Sequence, residues 1–81
     1  MRSPAAPPAV SIVIPVFNEE AVLPELFRRL TAVFDAHPAT RWSALLVNDG
    51  SRDRTAAMVR ERSAADPRFQ LLELTRNFGF Q

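Results

Sequence analysis

The sequence has no cysteine, no lysine and no tyrosine, and only one histidine and two glycines among its 81 residues. Without cysteine, neither disulfides nor a thiolate metal site can hold so short a chain together, and the composition suits a reducing compartment. The two glycines form neither G-x-G-x-x-G nor G-x-x-x-x-G-K-[ST], so the patterns that let a backbone wrap phosphate are missing. The longest strongly apolar run, Val10 to Phe17, is far short of the roughly 20 residues that cross a bilayer, so no transmembrane segment is expected. Met1 to Pro8 carries three prolines but no apolar h-region; it is read as a short disordered tail, not a secretory signal. With lysine absent, all ten basic residues are arginine, and an Ala- and Arg-rich coding usage explains that simply. The net charge is +1 and only Arg28 and Arg29 are adjacent, so there is no basic stripe and no nucleic-acid partner is expected.

What is present is the composition of a globular chain: 47% of the residues are hydrophobic, enough for at most one small domain with a marginal core. Val10 to Phe17 is nearly continuous in β-branched and aromatic residues, the pattern of a parallel strand buried on both faces. From Ala21 to Ala36, Leu23, Leu26, Phe27, Leu30, Val33 and Phe34 recur at helical spacing, with Asn18 as the expected N-cap, Pro24 in the first turn and His37-Pro38 as the stop. Trp42 to Val47 predicts a second strand. A helix capped by Asp53 follows to about Ala65, with a thin apolar face of Ala56, Met58 and Val59 into which Arg62 intrudes. Asp66-Pro67 ends that helix, and Phe69 to Leu74 predicts a third strand. The order is βαβαβ; right-handed crossovers make the sheet parallel, with strand order 3-2-1 and an open side beside the first strand.

Two acidic loops follow the first two strands, so Glu19, Glu20 and Asp49 are expected to converge at the carboxyl edge of the sheet, where open α/β sheets bind ligands. Glu19 and Glu20 are expected at the first helix's N-terminus, occupying the dipole end that an anion would use. The crevice would then favour hydrogen-bond donors, such as a nucleobase N–H or ribose hydroxyls, over phosphate. Each residue also has a plainer reading: Glu20 as a first-turn acid, Asp49 as a turn former before Gly50, Asp53 as a helix cap, His37 as a favourable charge at a helix C-terminus, and Trp42 as core or strand edge.

Three blocks, IPVFNEE at 14–20, VNDGSRDRT at 47–55 and LTRNFGFQ at 74–81, occur in order with one helix between each pair. Over about residues 9–81 the chain resembles the N-terminal part of a family 2 glycosyltransferase with the GT-A fold, a Rossmann-like α/β architecture. It is most similar to the polyisoprenyl-phosphate enzymes of the dolichol-phosphate mannosyltransferase and bactoprenol glucosyltransferase group. The resemblance implies a nucleotide-diphosphate sugar as donor and a lipid-phosphate acceptor at the cytoplasmic membrane face. By position, Pro15, Phe17 and Glu19 would line the base and ribose, with Val47 and Asp49 facing them. Phe17 stands where Tyr is frequent and Asn48 where a second Asp is frequent. Arg76 is open between a solvated loop residue and a contact to the diphosphate, and Phe80 departs from the Lys or His often found there.

Such enzymes typically hold a divalent cation, Mg2+ or Mn2+, with an Asp-x-Asp motif. No Asp-x-Asp occurs in the 81 residues. The expected arrangement is therefore a partial domain that supplies the nucleotide-binding part, with no catalytic residue of its own and the cation ligands elsewhere. The alternative is an inactive truncated fragment or a nonenzymatic interaction module. A receiver domain is disfavoured because no Asp follows the third strand, and a Rossmann dehydrogenase because the first turn lacks glycines.

Overall fold

The computed structural model describes residues 7–74, which form β1 (Ala9–Val16), α1 (Leu23–Ala36), β2 (Arg41–Asn48), α2 (Thr55–Ala65) and β3 (Phe69–Glu73). The strands are parallel in the order β1-β2-β3, in register from Ala9 opposite Arg41 to Val16 opposite Asn48, and from Ala44 opposite Phe69 to Asn48 opposite Glu73. This is the expected βαβαβ unit and strand order. Of the expected tail only Pro7 and Pro8 are described; the Pro8 carbonyl accepts the Arg41 N–H at 2.7 Å. The third sequence block, from Thr75 on, lies outside the described residues.

Right-handed crossovers between strands laid down in sequence order place both helices on one face of the sheet. The core forms there. Val16, Ala44, Leu46 and Phe69 from the strands meet Leu23, Phe27 and Phe34 from α1 and Val59 from α2. Phe69 takes the edge of Phe27 at 5.4 Å and lies 5.6 Å from Phe34, whose other neighbour, Trp42, stacks at 5.1 Å. The Trp42 indole also donates to the His37 carbonyl at 3.1 Å, so Trp42 serves the core and closes the C-terminus of α1 together.

The opposite face is bare among the described residues, which corrects the expectation that the first strand is buried on both sides. Alternation along the strands sends Val13, Leu45, Val47 and Leu72 to this face, and Val13 is 62% and Leu72 45% exposed. An unbroken apolar run thus reflects potential burial on two faces, of which one is met by the described helices.

Helix α1 starts later than expected. Asn18 has φ 51°, in the left-handed region that Asn tolerates, and so cannot be the N-cap. The chain then turns once more, with the Val22 and Leu23 N–H groups on the Glu19 carbonyl, and the N-cap is Val22 with no side-chain bond. Pro24 occupies the first turn as expected. The acid of that turn is Glu25, not Glu19 or Glu20; hydrogen bonds from Arg28 and then Arg29 hold its carboxyl at about 2. Val33, expected on the apolar face, is exposed.

In α2, Arg62 does not disrupt the thin apolar face but completes it. Its guanidinium lies 5.6 Å from the Phe27 ring and 5.2 Å from the Phe69 ring and donates to Thr31 Oγ1 at 2.6 Å. At the amino edge of the sheet, Arg68 ties the elements together by pairing with Asp66 at 2.7 Å and Asp35 at 3.0 Å above the Phe34 ring.

Candidate functional site

The segments that follow β1 and β2 meet at the carboxyl edge of the sheet and are joined by side-chain-to-backbone hydrogen bonds. Three consecutive N–H groups of the first loop are taken by side chains of the second: Asn18 N–H by Ser51 Oγ at 2.9 Å, Glu19 N–H by Thr55 Oγ1 at 2.8 Å, and Glu20 N–H by Asp53 Oδ2 at 3.2 Å. Two bonds run the other way, from Arg52 N–H to Asn18 Oδ1 at 2.8 Å and from Arg54 N–H to Glu20 Oε1 at 3.0 Å. The second loop is braced from within. Asn48 Oδ1 accepts the Ser51 N–H at 3.1 Å and its hydroxyl at 2.5 Å, and Asp53 Oδ1 accepts the Thr55 N–H at 2.9 Å. Asp53 therefore holds the start of α2 from one residue before the N-cap position, which Arg54 occupies.

This clamp decides what the first loop offers to a ligand. A phosphate-binding loop presents its backbone N–H groups outward, whereas those of residues 18–20 are turned into the neighbouring loop. What the loop has left to offer a ligand is side-chain oxygen. The two adjacent glutamates divide: Glu20 is engaged by the Arg54 N–H, while among the described residues no hydrogen bond or ion pair engages the Glu19 carboxylate.

The expected site residues fall around this junction. Pro15 and Val47 are directly opposite one another on the open face, and Leu72 lies opposite Val47 on its other side, so the three form a row across the sheet near its carboxyl edge. Phe17 follows β1 and is 55% exposed. Asp49 follows β2, is half-buried, and its N–H donates to the Val16 carbonyl at 3.3 Å. Arg76 lies outside the described residues. Asn48, noted from sequence only as a substitute for Asp, is buried on the helix side and faces the clamp. Ser51 and Thr55 were not anticipated as site residues; short polar residues after a strand read as turn formers, and their partners lie more than thirty positions away.

The Asp53 carboxyl is held below its usual range. Partial burial pushes it up most strongly, but the Thr55 hydroxyl and N–H, the Glu20 N–H and its own N–H together outweigh that. It is therefore an anion acting as an acceptor within the protein. No three His, Asp or Glu side chains among the described residues come together as a cation site, and no described helix is long and apolar enough to cross a membrane.

Comparison with known proteins identifies the family. The family model described as glycosyl transferase family 2 matches residues 11–81. The chain is 46% identical over 71 residues to an uncharacterized glycosyltransferase, YkcC, of Bacillus subtilis, covering 88% of this chain and 22% of the relative. It is equally 46% identical over 71 residues to the undecaprenyl-phosphate 4-deoxy-4-formamido-L-arabinose transferase of Salmonella paratyphi A, covering 86% of this chain and 21% of that protein. The chain thus spans about a fifth of the length of the curated relatives it matches. Matched by the family's model over all but its first ten residues, this chain belongs to glycosyltransferase family 2.

Proposed function

We propose that the clamped loops are the nucleotide-recognition half of a sugar-donor site, in an enzyme that transfers a sugar from a nucleoside-diphosphate donor to a polyisoprenyl phosphate at the cytoplasmic membrane face. The observation that carries this reading is the division of the glutamates, with Glu20 consumed by the clamp and the Glu19 carboxylate left to a ligand. An ionised carboxylate only accepts hydrogen bonds, which suits ribose hydroxyls or a base N–H. Asp49 supplies a second carboxylate at the end of β2, the exposed ring of Phe17 offers a face for a planar base, and Pro15 and Val47 form the apolar floor.

Because the N–H groups of residues 18–20 are committed, the diphosphate has to be met from elsewhere; Arg76 is the group this chain offers for it. The described residues do not assemble a cation site, so the Mg2+ or Mn2+ expected for the diphosphate would be held by other parts of the intact enzyme. The lipid-phosphate acceptor is supported by the name of the Salmonella relative. On this reading residues 9–81 are the nucleotide-binding part of a larger domain.

Titration of the intact protein with UDP and with GDP tests the reading. Asp49→Ala is expected to weaken the bound nucleotide by about 1–3 kcal/mol, the scale for leaving a desolvated donor without its acceptor. Equal affinity of variant and wild type would remove Asp49 from the site.

A further inference from the structure

The buried polar side chains of the described core are Asn48 and Thr55, and they differ in what they hold. Asn48 braces its own loop through Ser51. Thr55, 0% exposed and at the start of α2, reaches across to the other loop, where its Oγ1 accepts the Glu19 N–H at 2.8 Å. That bond acts on the one residue of the first loop whose carboxylate no described residue engages. It is flanked by the Asn18–Ser51 and Glu20–Asp53 bonds, which hold the peptide units on either side. A hydroxyl buried against helix and sheet is a fixed point, because α2 packs on the core through Val59 one turn further on.

We propose that Thr55 is a positioning residue for donor recognition: by fixing the Glu19 peptide, its hydroxyl sets the direction in which the Glu19 carboxylate meets the nucleoside. This rests on the donor-site reading above. Thr55 touches no ligand itself; its hydroxyl also hydrogen-bonds the Asp53 carboxyl, and its effect on the nucleoside passes through Glu19. Replacing the hydroxyl by a methyl group keeps the shape of the side chain but leaves the Glu19 N–H without its acceptor, so the peptide unit rotates to find another. The carboxylate turns with it, and pre-organisation for the ligand is lost.

The test is a double-mutant cycle in the intact protein, with UDP and GDP as probes in isothermal titration. Thr55→Val is expected to weaken the tighter of the two by about tenfold, and Thr55→Ser, which keeps the hydroxyl, to restore affinity to within about twofold. In a Glu19→Gln background, Thr55→Val is expected to add little further loss, since its effect passes through a carboxylate already removed. Two results overturn the role: a Thr55→Val protein with wild-type affinity, or one whose loss is undiminished in the Glu19→Gln background, which a general structural role would give. If Thr55→Val fails to fold, Thr55→Ala measured against Thr55→Ser carries the same cycle. A wild-type protein that binds neither UDP nor GDP overturns the donor-site reading, and the positioning role with it; binding that ignores Thr55 overturns the positioning role alone.

Discussion

Asn48 shows how much of a site can depend on a residue that faces away from it. It is 3% exposed, and its single carbonyl oxygen accepts both the N–H and the hydroxyl of Ser51, whose own oxygen then accepts the Asn18 N–H. Asn48→Ala removes the acceptor at the root of this chain and is expected to destabilise the protein by about 1–3 kcal/mol, the range for an unsatisfied buried polar group. Asn48→Asp, which keeps the oxygen, is expected to lose less. Chemical denaturation of both variants checks this; similar losses would mean that the amide nitrogen, not the oxygen, matters. From sequence, Asn48 stands out only as a departure from a family pattern, and Asn18 reads as a helix cap, which its φ of 51° rules out. The cause is the same in both cases: each residue's partner is set by the approach of the two loops, and nothing local to Asn18 announces Ser51 or Arg52.

The elements were far more legible than the contacts between them. Apolar-rich runs at 10–17, 42–47 and 69–74 match the strands to within a residue or so, because stretches this short between turn signals have the length of a strand and not of a helix. Helix α1 was legible from its spacing, although its first turn was placed too early. Helix α2 has almost no apolar stripe, and it is held instead by Val59 and by Arg62 lying against Phe27 and Phe69. The long Arg62 side chain covers those rings as a hydrocarbon would, and its Nε is buried without a partner among the described residues. Arg62→Ala is therefore expected to cost about 1–3 kcal/mol through lost packing and cation–π contact, while Arg62→Met recovers most of that. Thermal melts distinguish the cases, and a Met variant as unstable as the Ala variant would show that charge, not cover, holds α2.

At the scale of the whole molecule, ionised carboxylates fasten both edges of the sheet. Asp53 braces the carboxyl edge; Asp66, lowered chiefly by its hydrogen bonds with Arg68, braces the amino edge. Their folded-state values lie below the unfolded ones. The stability they contribute is therefore complete above the unfolded carboxylate value of about 4 and is lost as pH falls through the lower folded values. The thermal midpoint is expected to stay level from neutral pH to about pH 5 and then to drop. Asp66→Asn should start lower at neutral pH and fall less steeply in acid; an unchanged acid limb would show that Asp66 contributes nothing to it. The two edges differ in one further respect. The turn after α1 is closed by the Thr40 N–H and the Trp42 indole on the His37 carbonyl, and no side chain of another described loop bonds its backbone, so a residue inserted there disturbs no other loop. Within residues 18–20 an inserted residue slips three bonds to Ser51, Thr55 and Asp53 together. In proteins built on this unit, insertions and deletions should accordingly collect at the amino edge, while the loops after β1 and β2 are inherited at constant length, as a pair.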